Sequence, residues 1–266
     1  AMQAALDAWA HDPAVLAVVL HSPTPKALCA GGDIRFFHAS AQAGVDLEPF
    51  FTAEYALNLC IAQYPKPYIA LMQGVVMGGG MGISTHAHPQ RGLRVVCDTS
   101  RLAMPEVKIG LFPDVGGTHF LSHLAGELGT YLALTGASIQ ADSALYAKLA
   151  DAYCPAAALP DLLATLRAGA WTDGAQVRSA VLAFCNSFAA HIQPQASPLA
   201  QHRSQIDAAF AHHSVSQICA ALAAQNDAFA HAALAAMQAA SPLMVHTTLA
   251  ALPAIVQSFN WYVPLD

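Results

Sequence analysis

Charge is scarce in this chain. Lys, Arg, Asp and Glu make up 11% of its 266 residues, against about 25% in an ordinary soluble protein. Only four lysines occur: Lys26, Lys66, Lys108 and Lys148. With 11 basic against 17 acidic residues the net charge is −6, and no basic stripe runs along any segment. This argues against a nucleic-acid partner, because binding phosphate backbones draws on clustered Lys and Arg. An anionic ligand must be held mainly by backbone N–H groups and a few cations. Disorder is excluded as well. It needs low hydrophobicity and many charges, and here 55% of the residues are hydrophobic.

Cysteine is sparse too: Cys29, Cys60, Cys97, Cys154, Cys185 and Cys219. None forms a Cys-x-x-Cys pair, and six in a chain this long make no disulfide framework. They read as buried thiols in a reducing compartment, so a cytoplasmic location is expected. Long hydrophobic runs are lacking. Residues 68–85 and 228–265 are uncharged, but the first stretch carries Gln73 and a cluster of glycines, and the second is cut by Pro242, Pro253 and Pro264. Neither is the continuous apolar run of about 20 residues that a membrane span requires. No membrane partner is expected. The opening Ala1-Met2-Gln3 starts no basic-then-apolar leader pattern.

What is present is an alternation of periods. Residues 3–10 read as a helix and 15–21 as a buried strand. A second short strand runs into Gly31-Gly32, and residues 45–63 have helical spacing. Residues 67–76 read as a strand that ends in Gly78-Gly79-Gly80 and a short helix. Residues 94–104 are strand-like, and 115–124 and 128–135 helical. Strands and helices in alternation predict an α/β fold. Beyond Pro155 the patterns are helical only, at 159–168, 176–188, 205–211 and 215–240, with a polar hinge at 193–198. The expectation is an α/β core over residues 1–154 and a helical region over 155–266. The core opens on a helix, so its first strand is expected to be missing.

Three clusters carry chemistry. In Ala30-Gly31-Gly32-Asp33, paired glycines after a strand let a backbone N–H approach a ligand; as an ordinary turn, Asp33 would bond its own backbone. In Gly78-Gly79-Gly80-Met81-Gly82, free N–H groups at a helix start suit an oxyanion. No Gly-Lys-Ser/Thr follows, so this is not a P-loop. In the stretch from Met104 to Gly117, Glu106 and Asp114 stand among Pro, Gly and apolar residues, where pKa values tend to shift. Plainer roles are open to both: Asp114 as a helix cap, Glu106 as an ion-pair partner of Lys108 or Arg101. His119 and His123 are spaced i,i+4, but no His-Glu-x-x-His motif or Cys/His set completes a metal site. None is expected.

Taken in order, these segments resemble the crotonase (enoyl-CoA hydratase/isomerase) superfamily, most closely its 3-hydroxyisobutyryl-CoA hydrolase subgroup. The matching text is KALCAGGDIRFF from Lys26, KPYIALMQGVVMGGGMGIS from Lys66 and LAMPEVKIGLFPDVGGTHFLSHLAGELGTYLALTG from Leu102. The resemblance implies a crotonase-like (ββα) superhelix with a helical C-terminal region. It implies an oxyanion hole from the N–H groups of Gly32 and Gly79, and catalytic carboxylates Glu106 and Asp114. Glu54 matches a substrate-contacting glutamate of the subgroup. Hydratases place a second glutamate where Gly82 stands here, and usually glycine where Asp114 stands.

The implied function is hydrolysis of a short branched or 3-hydroxy acyl-CoA thioester, in the manner of valine breakdown. Coenzyme A is part of the substrate, and no further cofactor is expected. An enoyl-CoA hydratase or isomerase is the alternative, and a non-catalytic acyl-CoA-binding protein is the reading from another class. A homo-oligomer is left open. The connection at residues 86–93 is a few residues longer than the subgroup's, and it lies close to the expected active-site helix.

Overall fold

The structure, a computed structural model, describes residues 1–88 and 90–258, with the backbone alone for 253–258. Pro89, inside the 86–93 connection, and residues 259–266, with Pro264, lie outside the described residues.

The strands in chain order are β1 (Val18–Leu20), β2 (Ala27–Cys29), β3 (Tyr68–Met72), β4 (Val75–Met77), β5 (Leu93–Val96), β6 (Arg101–Ala103) and β7 (Ala152–Tyr153). Odd-numbered strands form one parallel sheet in the order β1-β3-β5-β7, and even-numbered strands a second, β2-β4-β6. Val18 pairs with Tyr68, and Ile69 with Leu93. Each turn of the fold gives one strand to each sheet and then a helix, which is the expected (ββα) coil. The helices before β7 are α1 (Met2–His11), α2 (Ile34–Gln42), α3 (Glu48–Ala62), α4 (Gly79–Thr85), α5 (Gly117–Ser122), α6 (Leu128–Thr135) and α7 (Ala141–Tyr146).

Period-two alternation assigns β3 to two cores at once. All five of its residues are buried. Ile69 and Leu71 point with Leu93, Val95 and Cys97 toward α8 (Leu159–Ala168) and α9 (Gly174–Asn186), meeting Leu162, Val177 and Val181. Tyr68, Ala70 and Met72 point the other way, into the larger core. That core also takes the apolar faces of α10 (Pro198–Gln201), α11 (Arg203–Phe210), α12 (Val215–Ala224), α13 (Ala228–Ala239) and α14 (Pro242–Ser258) through Leu199, Phe210, Ile218, Met237 and Val245. No single helix among the described residues is long and apolar enough to cross a membrane.

Several local expectations need correction. The run 67–76 is two strands in different sheets, because the chain turns at Gly74, whose φ is +64°. Residues 94–104 likewise divide at a turn, where the buried Ser100 hydroxyl accepts from Cys97 N and donates to Met72 O. Residues 215–240 break at Asp227, which accepts from Ala230 N at 2.9 Å and caps α13. The polar segment 193–198 is packed against α7, with Ser197 fully buried and capping α10. α2 was not expected; Asp33 starts it by accepting from Arg35 N and Phe36 N. All six cysteines are free, but only Cys97, Cys154 and Cys185 are buried.

Gly74 gives a direct check. A Cβ there would collide with the Lys26 carbonyl, whereas a Cβ on Gly44, at a similar φ of +66°, meets nothing within 4 Å. Gly44→Ala is expected to cost about 1 kcal/mol, the left-handed penalty alone. Gly74→Ala should cost about 3 kcal/mol or more, since the sheet-to-sheet turn must also shift. Urea denaturation of the two variants measures the difference.

Candidate active site

The turns that leave β2 and β4 lie against each other, backbone on backbone. Gly31 has φ +101°, and a Cβ on it would lie 3.3 Å from Met77 O and 3.7 Å from Gly79 N. A Cβ on Gly80 would collide with the Cys29 carbonyl. Glycine is needed for this close approach. It brings Gly32 and Gly79 to the wall of one cavity of about 170 Å³. Gly79 is the first residue of α4. Among the described residues, neither Gly32 N nor Gly79 N donates to a backbone carbonyl.

Glu54, Glu106 and Asp114 line the same cavity. Glu106 opens a short 3₁₀ helix, Glu106–Ile109, and is 5% exposed. Its Oε1 lies against Gly78, 2.7 Å from where a Cβ would stand. Its Oε2 is buried with no hydrogen-bond partner among the described residues. Burial pushes the Glu106 pKa up to about 8; the charges of Asp114 and Glu54 add to the rise, and its own backbone N–H opposes it. Glu54, on α3, sets Oε1 against Gly79 in the same way. Burial first, and then the Asp114 charge, push its pKa up to about 7.

Asp114 reaches the cavity because the chain doubles back. Gly110 takes a left-handed φ of +82°, and Leu111 N returns to Glu106 O at 3.0 Å. The Asp114 carboxyl accepts a hydrogen bond from the Tyr55 hydroxyl at 3.0 Å. Burial raises its pKa, while Tyr55 and its own backbone N–H act against the rise. The next residue, Val115, has φ +46°, an outlying conformation for a β-branched residue. The buried His86 holds it there. Burial keeps His86 neutral, and its Nε2–H donates to Val115 O at 2.7 Å.

The plainer roles for these residues are not the ones adopted. Gly116, not Asp114, occupies the N-cap of α5. Lys108 donates to Gly136 O at 2.7 Å rather than to Glu106. Asp33, by contrast, is a helix cap. The rings of His119 and His123 are 4.4 Å apart, and burial pushes His119 down to about 4. Among the described residues no three His, Cys, Asp or Glu side chains gather as a metal ion would need.

Sequence reasoning missed Tyr55, Asn58, His86 and Val115. The first two had a readable signal: Glu54, Tyr55 and Asn58 sit at i, i+1 and i+4 on α3, near one face. Asn58 is fully buried, with neither amide atom partnered among the described residues. A Cβ on Gly82 would lie 2.7 Å from Val115 Cβ and 3.0 Å from Asn58 Nδ2. A glutamate at position 82 has no room in this site.

The pattern of the enoyl-CoA hydratase/isomerase family spans residues 1–258. The chain belongs to this family. Among curated relatives of this enoyl-CoA hydratase/isomerase family chain, the Xenopus tropicalis protein named 3-hydroxyisobutyryl-CoA hydrolase, mitochondrial, is 38% identical over 245 residues, covering 91% of this chain and 62% of the relative. The Homo sapiens protein of the same name is 34% identical, covering 92% and 62%. The chain thus spans 62% of the length of these relatives. Among solved structures, a carnitinyl-CoA dehydratase from Mycobacterium thermoresistibile superposes with a TM-score of 0.86 at 39% identity, covering 98% of this chain and 72% of that one. An enoyl-CoA hydratase from Rhodobacter sphaeroides 2.4.1 gives 0.83 at 38% identity, with the same coverage.

The raised Glu106 pKa makes stability depend on pH. Its folded value of about 8 lies above the ordinary 4.5. The folded state therefore holds a proton that the unfolded chain releases, and the stability from this group is complete below pH 4.5 and lost as pH rises through 8. Glu106→Gln removes the penalty. Its melting temperature should exceed that of the unsubstituted protein at pH 8.5, with the gap closing toward pH 4.5. A gap that is constant across this range would contradict a buried, protonated Glu106.

Proposed function

We propose that this chain hydrolyses a short 3-hydroxy or branched acyl-CoA thioester. The observation that carries the reading is the pairing of Asp114 with Glu106 on one small cavity, beside a Gly82 that leaves no room for a second glutamate. The hydratases that this chain resembles place their second acid–base glutamate at the position of Gly82 and usually glycine at the position of Asp114, and this chain has the opposite at both. The relatives named 3-hydroxyisobutyryl-CoA hydrolase support the choice of thioester and acyl group.

In this reading Gly32 and Gly79 N–H donate to the thioester oxygen as it gains charge, a contribution of about 3 kcal/mol per donor. Asp114, hydrogen-bonded by Tyr55, is the ionised member and takes a proton from water as its oxygen bonds to the carbonyl carbon. Glu106 is the protonated member and gives its proton to the departing sulfur. The C–S bond breaks, and a carboxylic acid and the CoA thiol leave. Glu54 contacts the acyl group from the Gly79 side. Direct attack by a carboxylate, through an anhydride, uses the same groups. Coenzyme A enters as substrate, with no separate cofactor. Six free thiols fit a reducing compartment; the relatives' names say mitochondrial of those proteins, and a cytoplasmic location for this chain is a proposal.

The alternative is a hydratase, favoured by the names of the solved neighbours and opposed by Gly82. A thiol-release assay on 3-hydroxyisobutyryl-CoA and 3-hydroxypropionyl-CoA separates the two. Release of CoA is expected, falling about 10²-fold or more in Glu106→Gln and in Asp114→Asn with CoA binding retained. The double variant should lose less than the product of the single losses, because the two carboxyls act as a unit. Hydration of crotonyl-CoA without thiol release would establish the alternative. Binding of acyl-CoA with neither reaction would establish a binding protein.

A further inference from the structure

Two carboxyls on one cavity are useful only if something sets them apart, and the structure shows what does so. Glu106 Oε2 is buried with no partner among the described residues, while Asp114 Oδ2 takes the Tyr55 hydroxyl at 3.0 Å. One buried carboxyl oxygen has no hydrogen-bond donor, and the other carboxyl is given a side-chain donor. We propose that Tyr55 is a positioning residue that keeps Asp114 ionised and aimed into the cavity, so that Asp114 is the base and Glu106 the acid. The inference rests on the reading of these two groups as the reacting pair.

The phenol is well placed for this. Tyr55 follows Glu54 on α3, and its ring lies 6.0 Å from Phe51. Phe51 in turn packs against Phe50 at 5.4 Å and Phe37 at 5.6 Å. Tyr55, 38% exposed, ends this aromatic row with its hydroxyl on Asp114. Tyr55 also keeps its proton, since burial and the nearby Asp114 and Glu54 push its pKa far above the ordinary tyrosine value.

The other titratable groups around Asp114 favour its neutral form or leave it unchanged. Glu54 from α3 and Glu106 from the 3₁₀ helix are both acidic neighbours. His86, behind the turn, is neutral and bonded to the Val115 carbonyl. Lys108 is turned away to Gly136 O. Burial already raises the Asp114 pKa, and removing the hydroxyl leaves only its own backbone N–H to oppose the rise, so Asp114 moves further toward a second acid where a base is needed. The backbone turn that carries Asp114 is held separately by His86, so loss of the hydroxyl acts on the side chain.

Tyr55→Phe tests this with the aromatic packing intact. The full chain, labelled with ¹³C at the aspartate side-chain carboxyls, is titrated by NMR, with the Asp114 signal assigned by its loss in Asp114→Asn. The Asp114 midpoint should rise by about one pH unit or more in Tyr55→Phe, the shift worth one charge-assisted hydrogen bond, with the melting temperature little changed at pH values below both midpoints, where Asp114 is protonated in either protein. The acid limb of kcat/KM for thiol release should move up by the same interval, with kcat recovering above it and KM unchanged. An unmoved Asp114 midpoint, or a lower melting temperature with an unmoved acid limb, would overturn the proposal. A shifted midpoint in a protein that releases no thiol from any acyl-CoA would uphold the role of Tyr55 and sink the proposed function instead.

Discussion

The site depends on the contact between two glycine turns. β2 and β4 are parallel neighbours in the smaller sheet, so both chains leave it at the same end and must pass each other there. At Gly31 and Gly80 they pass with only backbone between them. The closeness does two things at once. It places the N–H groups of Gly32 and Gly79 on one cavity, and it leaves open faces at Gly78 and Gly79 against which the Glu106 and Glu54 carboxyls rest. A side chain on Gly78 or Gly79 would take the space where these carboxyls rest, and one on Gly80 would collide with the Cys29 carbonyl.

The second constraint is electrostatic. Three carboxyls share a small cavity with apolar surroundings, and burial is the leading cause of the raised pKa in each. Such a cluster costs folding stability, and a site of this kind persists because the surrounding structure holds it. Here the holding groups can be named. Gly110 reverses the chain, His86 fixes Val115 at its outlying φ, and Tyr55 takes the Asp114 side chain.

The motif residues were legible in the sequence because they are short, ordered and glycine-rich. Gly32, Gly79, Glu54, Glu106 and Asp114 do meet on one cavity. The α/β alternation was legible too, since both periods are strong. Boundaries were not. A buried strand pair such as 67–76 reads as one apolar run with only Gln73 and Gly74 inside it, and the turn at Gly74 divides it. The helical run 215–240 hides its break because Asp227 caps with a side chain that also reads as surface charge. Tyr55 and His86 act on Asp114 and Val115 across the fold, from 59 and 29 residues away in the chain. No local pattern shows such partners; the spacing of Glu54, Tyr55 and Asn58 on α3 was the one signal available.

In the proposed function, Gly32 and Gly79 present two donors to one oxygen beside Glu106 and Asp114. A crystal structure of the full chain with a ketone analogue of 3-hydroxyisobutyryl-CoA, in which CH₂ replaces the thioester sulfur, tests it most directly. The ketone oxygen is expected within about 3.2 Å of both Gly32 N and Gly79 N, with the Glu106 and Asp114 carboxyls facing the carbonyl carbon. A ketone oxygen bonded to only one of these nitrogens, or an acyl group seated away from the two carboxyls, would contradict it.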